Sequence, residues 1–199
     1  MDETLRDAPA LLLIDLQNDF LADDGRLRVG RDQVEGLLAA VQDLVTAART
    51  AGAPVAHIVN AFPRWSVGNL FRKFAAIEGS YGAQLDPRGP APAAGEPTFE
   101  KAANDAFHRP ALAHWLSDQG VRRVILAGVF ANACVADTAR GAARHGFEVL
   151  VATDAVAAGS PKGRQSGIVR MNRRGATTLP THDIIHALRE GTTTEGAAA

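Results

Sequence analysis

The chain has 199 residues, with 21 basic and 22 acidic side chains and a net charge of −1, which suits one domain with a sizeable core and gives no reason to expect a nucleic-acid partner. No apolar run approaches the roughly 18 residues of a membrane helix, and the N-terminus lacks the basic region and hydrophobic core of a signal peptide. The single cysteine cannot build a disulfide framework, so the expectation is a reduced, cytoplasmic protein with no membrane partner.

"PALLLID" (9–15) is a continuous apolar run ending in a carboxylate, the pattern of a parallel strand buried on both faces. "DQVEGLLAAVQDLVTAARTAG" (32–52) follows with helical spacing, an acidic cap candidate and a closing glycine. "APVAHIVNA" (53–61) reads as a second strand. Residues 62–96 are irregular and rich in proline and glycine, and so long an excursion in a compact domain is usually functional. "TFEK" (98–101) is a short strand, "RPALAHWLSDQG" (109–120) a helix and "VRRVILAGV" (121–129) a strand. A helix carrying Cys134 comes next, then a strand over 147–156, a helix around 161–174, a strand at 176–180 and a helix from Thr181 to about Glu190. The domain is expected to span 1–190, with 191–199 as a disordered tail. "GSPKGRQSG" (159–167) is not a P-loop, because it lacks the G-x-x-x-x-G-K-[ST] spacing.

Alternating strands and helices imply a mostly parallel sheet with helices on both faces. Sites on such sheets form at the carboxyl ends of the strands. Asp15, Lys101 and Cys134 all fall at or just after strand ends, which sets an acid, a base and a thiol along one edge. A thiol at a helix N-terminus, beside an ammonium, is expected to have a lowered pKa. A carboxylate in reach can take its proton and return it to a leaving group. Each residue also has a plain reading: core filler for Cys134, a turn for Asp15, a solvated charge for Lys101. Against the last, arginine outnumbers lysine 18 to 3, so a lysine at 101 departs from the chain's habit.

"LLLIDLQNDF", "EKAANDAF" and "GVFANACV" resemble the three signature blocks of the isochorismatase-like cysteine hydrolases, over about residues 9–190. The resemblance implies a three-layer α/β/α sandwich around a six-stranded sheet and a catalytic triad of Asp15, Lys101 and Cys134. It implies a cis peptide between Val129 and Phe130, and an oxyanion hole built from the backbone N–H groups of Phe130 and Cys134. It also implies a homo-oligomer, dimer or tetramer. No cofactor is expected. No metal is expected either, because the Asp-x-His block of the nicotinamidases is missing: "HIVNAFPRW" offers His57 without a partner at that spacing. Many relatives carry a small residue where this chain has Phe130, so the ring is expected to narrow or re-aim the pocket. Phe20, Phe62, Trp65, Tyr81, Phe107 and Asn132 are the candidates to line it. The expected reaction is hydrolysis of a C–N bond in a small amide, ureide or lactam. A vinyl-ether hydrolase of isochorismatase type and a non-catalytic binding protein are the alternatives.

Overall fold

A computed structural model describes residues 9–193. Its strands are β1 (Ala10–Ile14), β2 (Val55–Asn60), β3 (Thr98–Lys101), β4 (Arg123–Val129), β5 (Glu148–Ala157) and β6 (Thr177–Leu179). They form one sheet in the order β3-β2-β1-β4-β5-β6. Every pairing is parallel, so a sheet expected to be mostly parallel is wholly so. The helices are α1 (Asn18–Leu21), α2 (Arg31–Thr50), α3 (Gly68–Phe71), α4 (Pro110–Asp118), α5 (Cys134–Arg144), α6 (Pro161–Asn172) and α7 (Thr181–Thr193).

Side-chain alternation along the strands builds the three layers. In β1, Leu11 and Leu13 face α2 and α7, packing with Leu37, Val41, Ile184 and Leu188. Ala10, Leu12 and Ile14 face the opposite layer, where Leu112 and Leu116 of α4, Val135 and Ala139 of α5 and Met171 of α6 close the core. A strand buried on both faces has no polar stripe, which is why "ALLLI" reads as one apolar run.

The strand order runs one way from β1 to β3 and the other way from β4 to β6, so the crossovers diverge between β1 and β4. That divergence opens a crevice at the carboxyl ends of these two strands. The backbones approach closely there. A Cβ on Gly128 would lie 2.0 Å from the Ile14 carbonyl oxygen, and its φ is +120°. Only glycine fits both conditions.

Two expected boundaries change. Gly30, rather than an acidic residue, is the N-cap of α2, and Asp32 instead sits in the first turn. The last helix continues to Thr193, so residues 191–193 of the expected disordered tail are helical; residues 194–199 of that tail lie outside the described residues.

The excursion over 62–96 is tied to the end of β1 by "QND". Gln17 Nε2 donates to the carbonyls of Asn60 (2.7 Å) and Ala83 (2.6 Å), and its Oε1 accepts from the Asn60 N–H at 2.8 Å. Asn18 Nδ2 reaches the Tyr81 carbonyl at 2.9 Å, and Asp19 Oδ2 accepts the Ala76 N–H at 2.8 Å. These buried polar side chains satisfy loop backbone groups that would otherwise be stranded away from water. One carboxylate of the block, that of Asp15, is not spent this way.

Candidate active site

Asp15 lies one residue past β1, fully buried, with φ +56°. Aspartate tolerates this left-handed conformation better than most residues. Its N–H still bonds the Ile58 carbonyl at 2.8 Å. Lys101 ends β3 and is buried as well. Its Nζ donates to Asp15 Oδ2 at 2.8 Å and to Asn60 Oδ1 at 2.9 Å.

Asn60 was not among the expected site residues, yet it is the hub of this cluster. It ends β2 opposite Lys101 in the β2–β3 register. Its Nδ2 donates to Asp15 Oδ2 at 2.7 Å and lies 3.8 Å from Cys134 Sγ. The signal was present in the sequence: a polar residue closing an apolar parallel strand, on the same edge as Asp15 and Lys101.

Cys134 opens the 11-residue helix α5, where Ala133 offers no side-chain cap. Among the described residues no carbonyl accepts from the backbone N–H of Phe130 or of Cys134. The peptide between Val129 and Phe130 is cis. Two free donors therefore flank the thiol at the positive end of a helix.

The electrostatics correct one expectation. Burial is the largest influence on the thiol and, with the charge of Asp15, outweighs Lys101 and pushes Cys134 up to about 12. The resting residue is thus a neutral thiol, not a thiolate held by lysine. Burial also raises the Asp15 carboxyl against the opposing pull of Lys101. Burial alone would lower Lys101, but the Asp15 carboxylate, by its charge and its hydrogen bond, works the other way and the ammonium is raised instead. The thiol and Asp15 are close enough to couple, although in this conformation Sγ points to Asn104 Oδ1 at 3.8 Å. Asp15 Oδ1 is buried and has no hydrogen-bond partner among the described residues. One carboxylate oxygen is therefore pinned by Lys101 and Asn60, and the other is left open for a proton.

The expected pocket-lining residues divide. Phe130 is half-buried and meets Phe20 edge-on, ring centroids 5.5 Å apart at 81°. Phe20 is itself buried and supports that ring from the core. Asn132 is exposed two residues before Cys134, its carbonyl held by Arg170 at 2.6 Å. Phe62 is a core residue beneath the Arg72 guanidinium, 4.1 Å from ring centroid to Cζ. Phe107 packs on His145 and Phe147 at the far end of α5, away from the thiol. Trp65 is 94% exposed and Tyr81 63% exposed. These placements follow from where the loop is anchored, which periodicity does not encode.

His57 is buried within β2, its Nε2 3.2 Å from Glu96 Oε2. Glu96 in turn takes Arg49 through both oxygens, at 2.7 and 2.9 Å. The triplet clasps the end of the excursion to β2 and α2. Among the described residues no group of three His, Cys, Asp or Glu side chains could hold a metal ion.

A family model described as the isochorismatase domain matches residues 9–183. A maleamate amidohydrolase of Pseudomonas putida is 27% identical over 191 residues, covering 91% of this chain and 87% of its own length. A secreted isochorismatase effector, Isc1 of Verticillium dahliae, is 29% identical over 146 residues, covering 73% and 70%. The crystal structure of an isochorismatase family protein from Desulfovibrio vulgaris superposes with a TM-score of 0.81 at 28% identity, covering 92% and 98%.

Proposed function

The chain belongs to the isochorismatase family, and from that premise we propose that it hydrolyses a C–N bond of a small amide, ureide or lactam through a thioester on Cys134. The observation that carries this reading is the Asp15 carboxylate, with Oδ2 held by Lys101 and Asn60 and Oδ1 unpartnered beside a protonated thiol. A thiol this hard to ionise needs a base at the moment of attack, and Oδ1 is that base.

The steps balance as follows. Asp15 takes the thiol proton while Sγ bonds to the substrate carbonyl carbon. The oxygen gains negative charge and rests on the N–H groups of Phe130 and Cys134. Asp15 gives the proton to the nitrogen as the C–N bond breaks, leaving a thioester. Water then attacks the thioester, its proton passes to Asp15 and on to sulfur, and the carboxylic acid leaves. Lys101 stays charged throughout and favours the ionised form of Asp15 against the opposing effect of burial. The maleamate amidohydrolase among the relatives is named for chemistry of this class.

The test is an ammonia-release screen over amides and ureides, with mass spectrometry for lactam opening. Wild-type protein quenched during turnover should carry the acyl mass on Cys134, and Cys134→Ala should show neither adduct nor turnover. Full activity after complete alkylation of Cys134 would instead favour vinyl-ether hydrolysis, the reaction for which the family is named.

Assembly into a dimer or tetramer belongs to the same proposal. Trp65, Val67, Leu70 and Phe71 are all more than two-thirds exposed, four large apolar side chains within seven residues, and clustered exposed apolar groups mark interaction surfaces. A second copy would cover them. Light scattering that returned the monomer mass would count against assembly.

A further inference from the structure

A cavity of about 420 Å³ lies on the edge of the sheet opposite Cys134. The first residues of β4, β5 and β6 (Arg123, Glu148 and Thr177) form one wall, and the outer parts of α5 and α6 with the turn after α6 form the others. The cavity runs along the outer side of α5 from Ala136 to Ala143, whereas Cys134 opens that helix at the carboxyl edge of the sheet.

The floor is apolar and buried. It is made by Ala136, Ala139, Val149, Met171 and Ala176. Phe147 adds an aromatic side wall. The rim is cationic. Arg123 neutralises Glu148 through two hydrogen bonds, at 2.8 and 2.6 Å. Arg140 reaches Asp137 by a single 3.3 Å contact, which leaves most of its donors free. Arg174 makes no side-chain hydrogen bond or ion pair among the described residues. Three guanidinium groups thus stand against two carboxylates, and the surplus charge sits on Arg174 over an apolar hollow.

We propose that this cavity binds a small organic anion: a carboxylate attached to an aromatic or aliphatic body. Its volume falls in the range of small-ligand sites. An apolar floor with a few converging polar groups is the usual form of such a site. The planar, five-donor fork of arginine matches a carboxylate, and Arg140 and Arg174 converge on one mouth. An inorganic anion would leave the apolar floor wet, and a neutral apolar molecule would make no use of the Arg140 and Arg174 guanidinium groups at the rim. The inference stands independently of the reaction at Cys134.

The probe is 3-phenylpropionate, titrated calorimetrically into the full chain at low salt, with 3-phenylpropanol as its uncharged counterpart. Saturable one-site binding is expected at about 1 mM or tighter. The double variant Arg140→Gln/Arg174→Gln changes only exposed side chains and should weaken binding tenfold or more. The alcohol should bind at least tenfold more weakly than the acid. Cys134→Ala should bind the acid unchanged, which separates this cavity from the catalytic edge. Binding that survives the double variant, equal affinity for acid and alcohol, or no saturation by about 10 mM acid, tenfold above the expected 1 mM, would overturn the proposal. So would protection of α5 and α6 from hydrogen exchange by a second copy of the chain, with no response to the acid.

Discussion

Lys101 Nζ lies 2.8 Å from Asp15 Oδ2, and both side chains are sealed from solvent at the carboxyl edge of the sheet. A buried ion pair of this kind adds little net stability when intact but is costly to break from one side. Lys101→Ala should therefore destabilise the fold by about 3–5 kcal/mol, because it leaves a buried carboxylate without its cation. Asp15→Asn combined with Lys101→Met should recover most of that loss and remain inactive. Denaturant melts of the three proteins provide the measurement. Equal destabilisation in the single and double variants would show that the charge is not the cause.

The thiol gives a second test. With Cys134 pushed up to about 12 by burial and by the Asp15 charge, iodoacetamide labelling should have its midpoint well above 9, the ordinary thiol value. Asp15→Asn removes the carboxylate charge and keeps a side chain that tolerates the positive φ. Its thiol should label faster at pH 8 than the wild type, yet turnover should fall at least about a hundredfold for want of a proton shuttle. A wild-type midpoint below about 7 would mean that the thiolate is the resting form at neutral pH.

Asn60 is a positioning residue, and its removal should reach the reaction through Asp15. Asn60→Ala takes away hydrogen bonds to two charged groups, which corresponds to about a ten- to hundredfold loss of kcat with KM little changed. Because its Nδ2 favours the thiolate, the same variant should move the labelling midpoint upward. A drop in melting temperature with an unmoved labelling profile would reduce Asn60 to a structural part.

The Arg49–Glu96–His57 clasp predicts a loss of stability in acid. The hydrogen bonds from Arg49, reinforced by those from Ala93 and His57, outweigh burial and hold Glu96 down to about 2, against an ordinary 4.5. A carboxylate with a lowered folded pKa stabilises fully above the unfolded value and loses that contribution as pH falls through the folded one. Burial lowers His57 below its usual 6.5, so its share starts to fade as pH drops past that point. Glu96→Gln should be less stable than wild type at pH 7, and the gap should close between about pH 4.5 and 2. A gap of the same size at pH 7 and pH 2.5 would refute the clasp.

What the sequence determined by itself was whatever is carried by runs along the chain. Buried parallel strands must be apolar on both faces, so "ALLLI" and "VILAGV" declare themselves. Because parallel strands all finish at one edge, the polar residues that close them, Asp15 and Lys101, and the cysteine just beyond β4, were bound to share it. Tertiary structure decided what depends on neighbours distant in sequence. Asn60 becomes the hub only because β2 lies between β1 and β3. Trp65 and Tyr81 stay exposed because Gln17, Asn18 and Asp19 hold the excursion by its backbone, at Ala76, Tyr81 and Ala83, and not by these two rings. Phe107 follows its short turn to the far end of α5. The state of Cys134 is the clearest case. Helix position and a nearby lysine, both readable in the sequence, argue for a thiolate. Burial and the charge of Asp15 argue the other way and win, because desolvation is a property of the packed fold rather than of any stretch of chain.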